Sequence, residues 1–113
     1  MSVAQVNERM AYIALEKLHV LHDGYRRTLR VAGRELLLVQ EEGQLYLFAN
    51  RCPHMDAPLD KASINQRVLR CPLHGIEFDL RSGRALGSVG ECVAPLEFFP
   101  LVYDGNTVGV DVS

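Results

Sequence analysis

Four residues of metal-binding types lie in two short segments of the chain. The first segment is Cys52-Pro53-His54, and the second is Cys71-Pro72-Leu73-His74-Gly75, with sixteen residues (55–70) between them. Each segment offers one thiolate and one imidazole. A proline follows each cysteine, and because its ring fixes φ it restricts the backbone of the turn. The spacing therefore predicts two preset loops that present a mixed Cys/His ligand set.

Three kinds of site use these residue types: a structural zinc site, a catalytic thiol and an iron–sulfur cluster. A Cys₂His₂ zinc site usually takes both cysteines from one turn and both histidines from one helix. Here each segment mixes the two, and one residue separates Cys52 from His54. A binuclear centre explains the mixing better, because each loop then sends its cysteine to one metal and its histidine to the other. Two histidines replace two cysteines in this way on one iron of some [2Fe–2S] clusters. We predict one [2Fe–2S] cluster held by Cys52, His54, Cys71 and His74, with zinc as the alternative.

This ligand set favours one-electron chemistry. Replacing two thiolates by neutral imidazoles removes two negative charges from the surroundings of the cluster, so reduction becomes easier than with four cysteines. The added electron is expected on the iron held by His54 and His74, because that iron carries the less negative ligands.

The composition limits what can surround such a site. The chain has 113 residues, of which 48% are hydrophobic and 23% charged, so we predict one folded domain over 1–113. Its net charge of −2 does not favour nucleic acid as a partner. No apolar run is long enough for a membrane span, and Met1–Met10 lacks the pattern of a signal peptide, so no membrane association and a cytoplasmic location are expected.

The periodicity favours short strands over helices. The predicted strands are Ala11–Leu15, Tyr25–Val31, Glu35–Gln40, Gln44–Phe48, Leu96–Tyr103 and Thr107–Val112. The second to fourth should form a meander, and the last two a hairpin around Asp104-Gly105-Asn106 in which Val108, Val110 and Val112 share a buried face. Pro100 predicts an edge strand or a bend. The result is a small all-β barrel or sandwich, from which residues 50–90 stand apart.

The other candidate residues receive plainer interpretations. Cys92 is expected to be a small buried thiol, because free cysteine is usually buried. His19 and His22 have no cysteine or carboxylate cluster beside them and are expected on a solvated loop. Met55 and Pro58 either form an apolar rim for partner docking or cover the site. Core residues of the last hairpin are expected among Phe98, Phe99, Leu101 and Tyr103.

The chain resembles the Rieske ferredoxins over most of its length beyond the first ten residues. The resemblance is carried by Cys52-Pro53-His54, Ala57-Pro58-Leu59, Cys71-Pro72-Leu73-His74-Gly75, Phe78-Asp79 and Arg81-Ser82-Gly83. It implies a Rieske-type fold: a small antiparallel β-sandwich or barrel, with a cluster-binding subdomain inserted at about 50–90 and the two ligand histidines at the tip. Residues 1–10 should be a loosely ordered N-terminus.

The resemblance also implies a role. Free-standing bacterial members carry single electrons from a flavin-dependent reductase to a terminal oxygenase, and for this chain the resemblance implies an aromatic-ring dioxygenase or monooxygenase as the acceptor. Such a carrier meets both partners transiently and is expected to be a monomer. The small Rieske subunit of an assimilatory nitrite reductase is the alternative. An oxygenase in its own right is rejected, because after His54 and His74 only His19 and His22 remain for a mononuclear iron.

Two departures separate the chain from the quinol-oxidising branch of the same family. That branch has extra cysteines that join the two loops by a disulfide, whereas Ala57 and Leu73 stand here. It also has a serine after the His-Gly step that donates a hydrogen bond to the cluster, whereas this chain has Ile76. Loss of that donor predicts a potential toward the lower end of the Rieske range of roughly −150 to +300 mV.

Overall fold

The computed structural model describes residues 11–73, 75–87 and 92–112. Over these residues the chain forms antiparallel strands and one short 3₁₀ helix. In chain order the elements are β1 (Tyr12–Lys17), the 3₁₀ helix (Leu18–Val20), β2 (Arg26–Val31), β3 (Arg34–Glu41), β4 (Gln44–Ala49), β5 (Ser63–Asn65), β6 (Val68–Arg70), β7 (Glu77–Asp79), β8 (Val102–Asp104) and β9 (Thr107–Asp111). The prediction for residues 1–10 lies outside the described residues. No helix among those described is long and apolar enough to cross a membrane.

The predicted meander is the central sheet, in the order β2-β3-β4. Its two turns fall where the sequence placed them, at Ala32-Gly33 and Glu42-Gly43, and all four residues have positive φ. This backbone matches the twist of two-residue hairpins. The apolar run Leu36–Val39 in β3 is fully buried, which indicates that the sheet is covered on both faces.

Two apolar cores lie on opposite faces of this central sheet, because successive side chains of a strand alternate. Leu36 and Leu38 pack with Leu15 of β1 and Val110 of β9. Leu37 and Val39 pack with the segment 52–85, including Cys52 and Cys71. The all-β sandwich is confirmed, and the candidate ligand loops belong to only one of its two cores.

The terminal hairpin is confirmed, but its first strand differs from the prediction. Residues 97–99 run beside β4, where Ala49 N–H donates to Glu97 O at 2.9 Å and Phe99 N–H donates to Leu47 O at 2.9 Å. After Pro100 the chain changes sheets, and β8 pairs only with β9 at the edge of the order β1-β9-β8. The bend predicted at Pro100 is therefore the crossing between two sheets.

Several burial predictions for this region are wrong. Val108 and Val110 are buried, but Val112 lies past the end of β9 and is exposed. Phe98 and Tyr103 are also exposed, while Phe99 and Leu101 only pack partly buried against the second core. For Tyr103 the reason is the sheet change, since it lies in β8, which is an edge strand.

A third sheet, β5-β6-β7, was not predicted. Its first two strands are joined by Gln66 and Arg67, whose φ values of 52° and 63° give the turn that Asn-Gly usually forms. Without glycine or asparagine at the turn, and with strands of three residues, the sequence carries almost no hairpin signal. This sheet supports the second ligand loop.

Candidate metal centre

The two Cys/His segments form loops that close in the same way. In the first loop, Cys52 N–H donates to Ala57 O at 2.7 Å, and Asp56 N–H donates back to Cys52 O at 2.7 Å. In the second loop, Cys71 N–H donates to Ile76 O at 2.9 Å, and Gly75 N–H donates back to Cys71 O at 3.0 Å. Each loop is thus a six-residue turn that begins with its cysteine.

The fifth residue of each loop has a left-handed backbone. Asp56 has φ 58° and Gly75 has φ 70°. Aspartate tolerates this region better than most residues and glycine tolerates it best. The loops differ in where the imidazole stands, since His54 is the third residue of its loop and His74 the fourth.

The two cysteines lie together inside the protein. Their exposed fractions are 0% for Cys52 and 1% for Cys71, and the two thiols are within hydrogen-bonding contact. Burial raises the pKa of the Cys52 thiol, and the bond with Cys71 acts in the same direction, while the backbone N–H groups of His54 and Met55 lower it. Two neighbouring buried thiols suit thiolates that share a cation.

The histidine side of the site faces outward. His54 is exposed at the tip of the first loop, and His74 lies outside the described residues. Among the residues that are described, no group of three or more His, Cys, Asp or Glu side chains is arranged to hold a metal. The structure therefore brings Cys52 and Cys71 together, places His54 at the exposed tip of the Cys52 loop, and leaves the position of His74 as a prediction.

For the other candidate residues, the structure confirms some of the predicted exposures and contradicts one. Cys92 is exposed, so the prediction of a buried thiol is wrong. It stands in an irregular segment outside the sheets, where nothing covers it among the described residues. His19 and His22 are exposed as expected, and the ring of His22 forms a hydrogen bond with the adjacent Asp23 carbonyl at 2.9 Å. Met55 and Pro58 are both exposed, with Met55 51% exposed.

Asn50 holds the first loop at its base, a role that the sequence analysis missed. Its side chain accepts a hydrogen bond from Leu59 N–H at 2.7 Å and donates one to Glu35 Oε1 at 3.1 Å. At 6% exposure it is the buried polar residue of the described core. The bond to Leu59 joins the two ends of the loop, and the bond to Glu35 ties that base to β3. Its place two residues before Cys52 was the only signal in the sequence.

Arg26 fixes the segment that leaves this loop. From β2, its guanidinium donates to the carbonyl oxygens of Asp60 at 2.9 Å and Ala62 at 2.5 Å. These contacts span more than thirty residues of sequence, so no local pattern reveals them. Asn50 and Arg26 together anchor the first loop to the central sheet.

The donor set fits a binuclear iron–sulfur centre. Sulfur ligands lie in the apolar core and a nitrogen ligand lies at the exposed tip, so the two ends of the site differ in ligand type and in contact with water. A single tetrahedral zinc ion does not require its sulfur and nitrogen ligands to lie at opposite ends of the site. A [2Fe–2S] cluster with cysteines on one iron and histidines on the other does.

Comparison with known proteins agrees with this class of site. The model of the Rieske [2Fe-2S] domain family matches residues 11–100. The ferredoxin component of a naphthalene 1,2-dioxygenase system from Pseudomonas aeruginosa is 31% identical over 96 residues, which cover 85% of this chain and 90% of the relative. The ferredoxin of carbazole 1,9a-dioxygenase from Nocardioides aromaticivorans IC177 superposes with a TM-score of 0.75 at 28% identity, over 91% of this chain and 99% of the other.

A third similar chain comes from a complex of reduced oxygenase and oxidized ferredoxin in carbazole 1,9a-dioxygenase. Its TM-score is 0.75 at 24% identity, over 89% of this chain and 93% of the other, and it shows the shared fold. The fold and the paired loops define an iron–sulfur electron-transfer domain. The chain belongs to the Rieske [2Fe-2S] domain family and carries one [2Fe–2S] cluster, so the zinc and catalytic-thiol alternatives are set aside.

Proposed function

We propose that this protein is the ferredoxin component of a multicomponent oxygenase system and passes one electron at a time. The observation that carries the proposal is the pair of six-residue loops with two adjoining buried thiols and an exposed histidine. When bound, the cluster supplies reversible one-electron transfer in which no covalent bond is broken. The protein has the role of a carrier rather than an enzyme, as do the dioxygenase ferredoxins it resembles.

In this proposal Cys52 and Cys71 would hold one iron of the cluster, and His54 and His74 would hold the other. The burial of both cysteines and the exposure of His54 support the assignment. A redox partner would exchange electrons with the cluster at the exposed end of the site, where His54 lies. The rest of the chain positions these ligands: Asn50 and Arg26 anchor the first loop, and the β6–β7 pairing anchors the second.

The proposed partners are a flavin-dependent reductase as donor and a terminal oxygenase as acceptor, both met transiently by a monomeric carrier in the cytoplasm. The carbazole 1,9a-dioxygenase ferredoxin, solved in complex with its oxygenase, supports the acceptor by analogy. We also propose a single domain over 1–113 with the cluster-binding subdomain at about 50–90. The relatives described above give no support to the nitrite reductase alternative.

The ligand assignment is tested on purified protein. We expect about two irons and two acid-labile sulfides per chain and a Rieske-type electron paramagnetic resonance signal after reduction. Replacing Cys71 by Ala or His54 by Ala should abolish the signal, whereas Cys92→Ser, at the exposed third cysteine, should leave it intact. Loss of the cluster in the Cys92 variant would refute the assignment.

The carrier role is tested by reconstitution. A candidate flavin-dependent reductase and a candidate terminal oxygenase, combined in one assay, should turn over substrate only when the holoprotein is added. The apoprotein of the Cys71 variant is the matched control. Full turnover without the carrier, or with that variant, would contradict the proposed function.

A further inference from the structure

The fifth residue of the first ligand loop has a side chain in a backbone conformation that suits glycine. Both loops need a left-handed backbone at this position, with φ 58° at Asp56 and 70° at Gly75. Glycine enters this region freely, whereas a Cβ makes it unfavourable, though less so for aspartate than for most residues. The second loop avoids this conformational cost and the first does not. A contact of the Asp56 carboxylate is needed to offset it.

The Asp56 carboxylate makes such a contact with Arg51. Arg51 Nε lies 3.5 Å from Asp56 Oδ1, and the two side chains are 62% and 76% exposed. Arg51 directly precedes Cys52, and Asp56 is the fifth residue of the loop. The ion pair therefore joins the two ends of the turn on its outer side. It acts in parallel with the backbone bond in which Asp56 N–H donates to Cys52 O at 2.7 Å.

The part of the loop enclosed by this ion pair is exposed. Cys52 and Ala57, at the two ends of the turn, are buried, whereas His54 and Met55 between them are exposed. Core packing thus fixes the base of the loop and does not cover its tip. The orientation of His54 depends on the backbone turn more than on the core, so a contact that spans the turn acts on it directly.

The nearest other carboxylate leaves Arg51 available to Asp56. Glu97 also faces Arg51, but its own ion pair is with Arg34, at 2.5 Å. The bond from Arg34 is the largest cause of the lowered pKa of Glu97, and the charge of Arg51 adds a smaller lowering. Asp56 is the carboxylate within ion-pair distance of Arg51.

We propose that Arg51 and Asp56 are positioning residues for His54, and that their ion pair holds the first ligand loop closed around it. Groups outside the ligand set orient the ligands of a metal site in this way. An exposed ion pair is a weak contact, so the expected effect on loop opening is about twofold. This inference rests on the proposed ligand assignment and names the residues that hold one of the ligands in place.

The experiment measures how fast the holoprotein loses its cluster. Oxidised protein is held at a fixed temperature below its melting transition, and the first-order loss of the visible absorbance is followed at ~10 and ~200 mM salt. Arg51→Gln and Asp56→Asn each remove one charge, and asparagine tolerates the left-handed backbone. At low salt each variant should bleach about twofold faster than the wild type. The double variant should bleach no faster than the single variants, because the two charges act through one contact.

Salt and two further substitutions at the loop separate the ion pair from the backbone. Screening should bring the wild type toward the rate of the double variant, which itself reports any general effect of salt. Arg51→Lys keeps the charge and should retain slow bleaching. Asp56→Gly relieves the left-handed backbone but removes the carboxylate, so it should bleach faster. If the backbone conformation alone mattered, that variant would bleach more slowly than the wild type.

A matched control breaks an ion pair outside the ligand loops. Arg81 Nε lies 3.4 Å from Asp79 Oδ1, and the Arg81 side chain is 67% exposed, so length and exposure resemble those of the pair at the loop. Arg81→Gln should leave the bleaching rate unchanged at both salt concentrations.

The Rieske electron paramagnetic resonance signal reports on His54 itself. Loss of stability elsewhere speeds bleaching but leaves the signal of the remaining cluster unchanged. A His54 ring with a wider range of orientations instead broadens the signal, because the g values depend on how the ligand is set on its iron. We expect broadening in Arg51→Gln and Asp56→Asn. The signal should recover its width in Arg51→Lys.

Three results would overturn the proposal: wild-type bleaching rates in both single variants, additive effects in the double variant, or a signal of unchanged width in all of them. Failure here is distinguishable from failure of the proposed function. The presence of the Rieske signal in the wild type tests the cluster and its carrier role. The differences between the wild type and these variants test only the ion pair between Arg51 and Asp56.

Discussion

Replacing Asn50 by Ala should loosen the first ligand loop at its base. The substitution leaves the N–H of Leu59, a fully buried residue, without its 2.7 Å acceptor, at a cost of about 1 to 3 kcal/mol. It also removes the 3.1 Å bond to Glu35, which contributes about 1 kcal/mol at a partly buried site. The free energy of unfolding should therefore fall by about 2 to 4 kcal/mol.

For a chain of this length, that loss corresponds to a melting temperature lower by about 8 to 16 °C. The assay is far-ultraviolet circular dichroism of the holoprotein at a fixed heating rate, with the visible absorbance of the cluster followed in parallel. Because the loop should open more often, the cluster should also bleach faster below the melting transition.

Two controls isolate the hydrogen bond to Leu59. Glu35→Gln keeps an oxygen acceptor for the Asn50 amide and should lower the melting temperature by no more than about 3 °C. Asn65→Ala removes an exposed asparagine from β5 and should change it by about 2 °C at most. If Asn50→Ala melts within about 2 °C of the wild type, the role assigned to this side chain is wrong.

Two further predictions concern the cluster potential and the base of the sandwich. Ile76→Ser should raise the midpoint potential, because a hydroxyl near the cluster can donate a hydrogen bond that favours the reduced state; a redox titration with no rise would refute this. Tyr25→Phe should cost about 1 kcal/mol near pH 8, since it removes the 2.7 Å bond from the Tyr25 hydroxyl to Glu16. Burial and that bond raise the pKa of Tyr25 to about 12, so its stabilisation is complete below pH 10 and is lost as the pH rises toward 12. Denaturant midpoints of wild type and Tyr25→Phe should therefore converge across this window, and a constant gap would contradict the assignment.

Local sequence patterns were sufficient to predict many of the turns and strands of the β-sandwich. The turn at Ala32-Gly33, the turn at Glu42-Gly43 and the hairpin at Asp104-Gly105-Asn106 are all where the sequence predicted them. Each depends on residues that favour a particular backbone over two or three positions, so neighbours in sequence carry the whole signal. The apolar run in β3 likewise indicates burial on both faces without reference to any other segment.

The burial of single residues could not be predicted in the same way. Val112, Tyr103 and Cys92 have side chains that suit a core, yet all three are exposed. Tyr103 is exposed because the chain changes sheets after Pro100 and β8 becomes an edge strand, and Val112 is exposed because it lies past the end of β9. The three-residue strands of the third sheet were missed for a related reason, because they are stable only when packed against the central sheet.

The sequence by itself determined the chemistry of this protein. The types and spacing of Cys52, His54, Cys71 and His74 predicted a [2Fe–2S] cluster and one-electron transfer, because ligand identity and loop length are local properties. Only the tertiary structure decided how the site is held. The Asn50 contact with Glu35 and the Arg26 contacts with the segment after the first loop join residues distant in sequence. Such contacts follow from packing one sheet on another, and no period or motif along the chain records them.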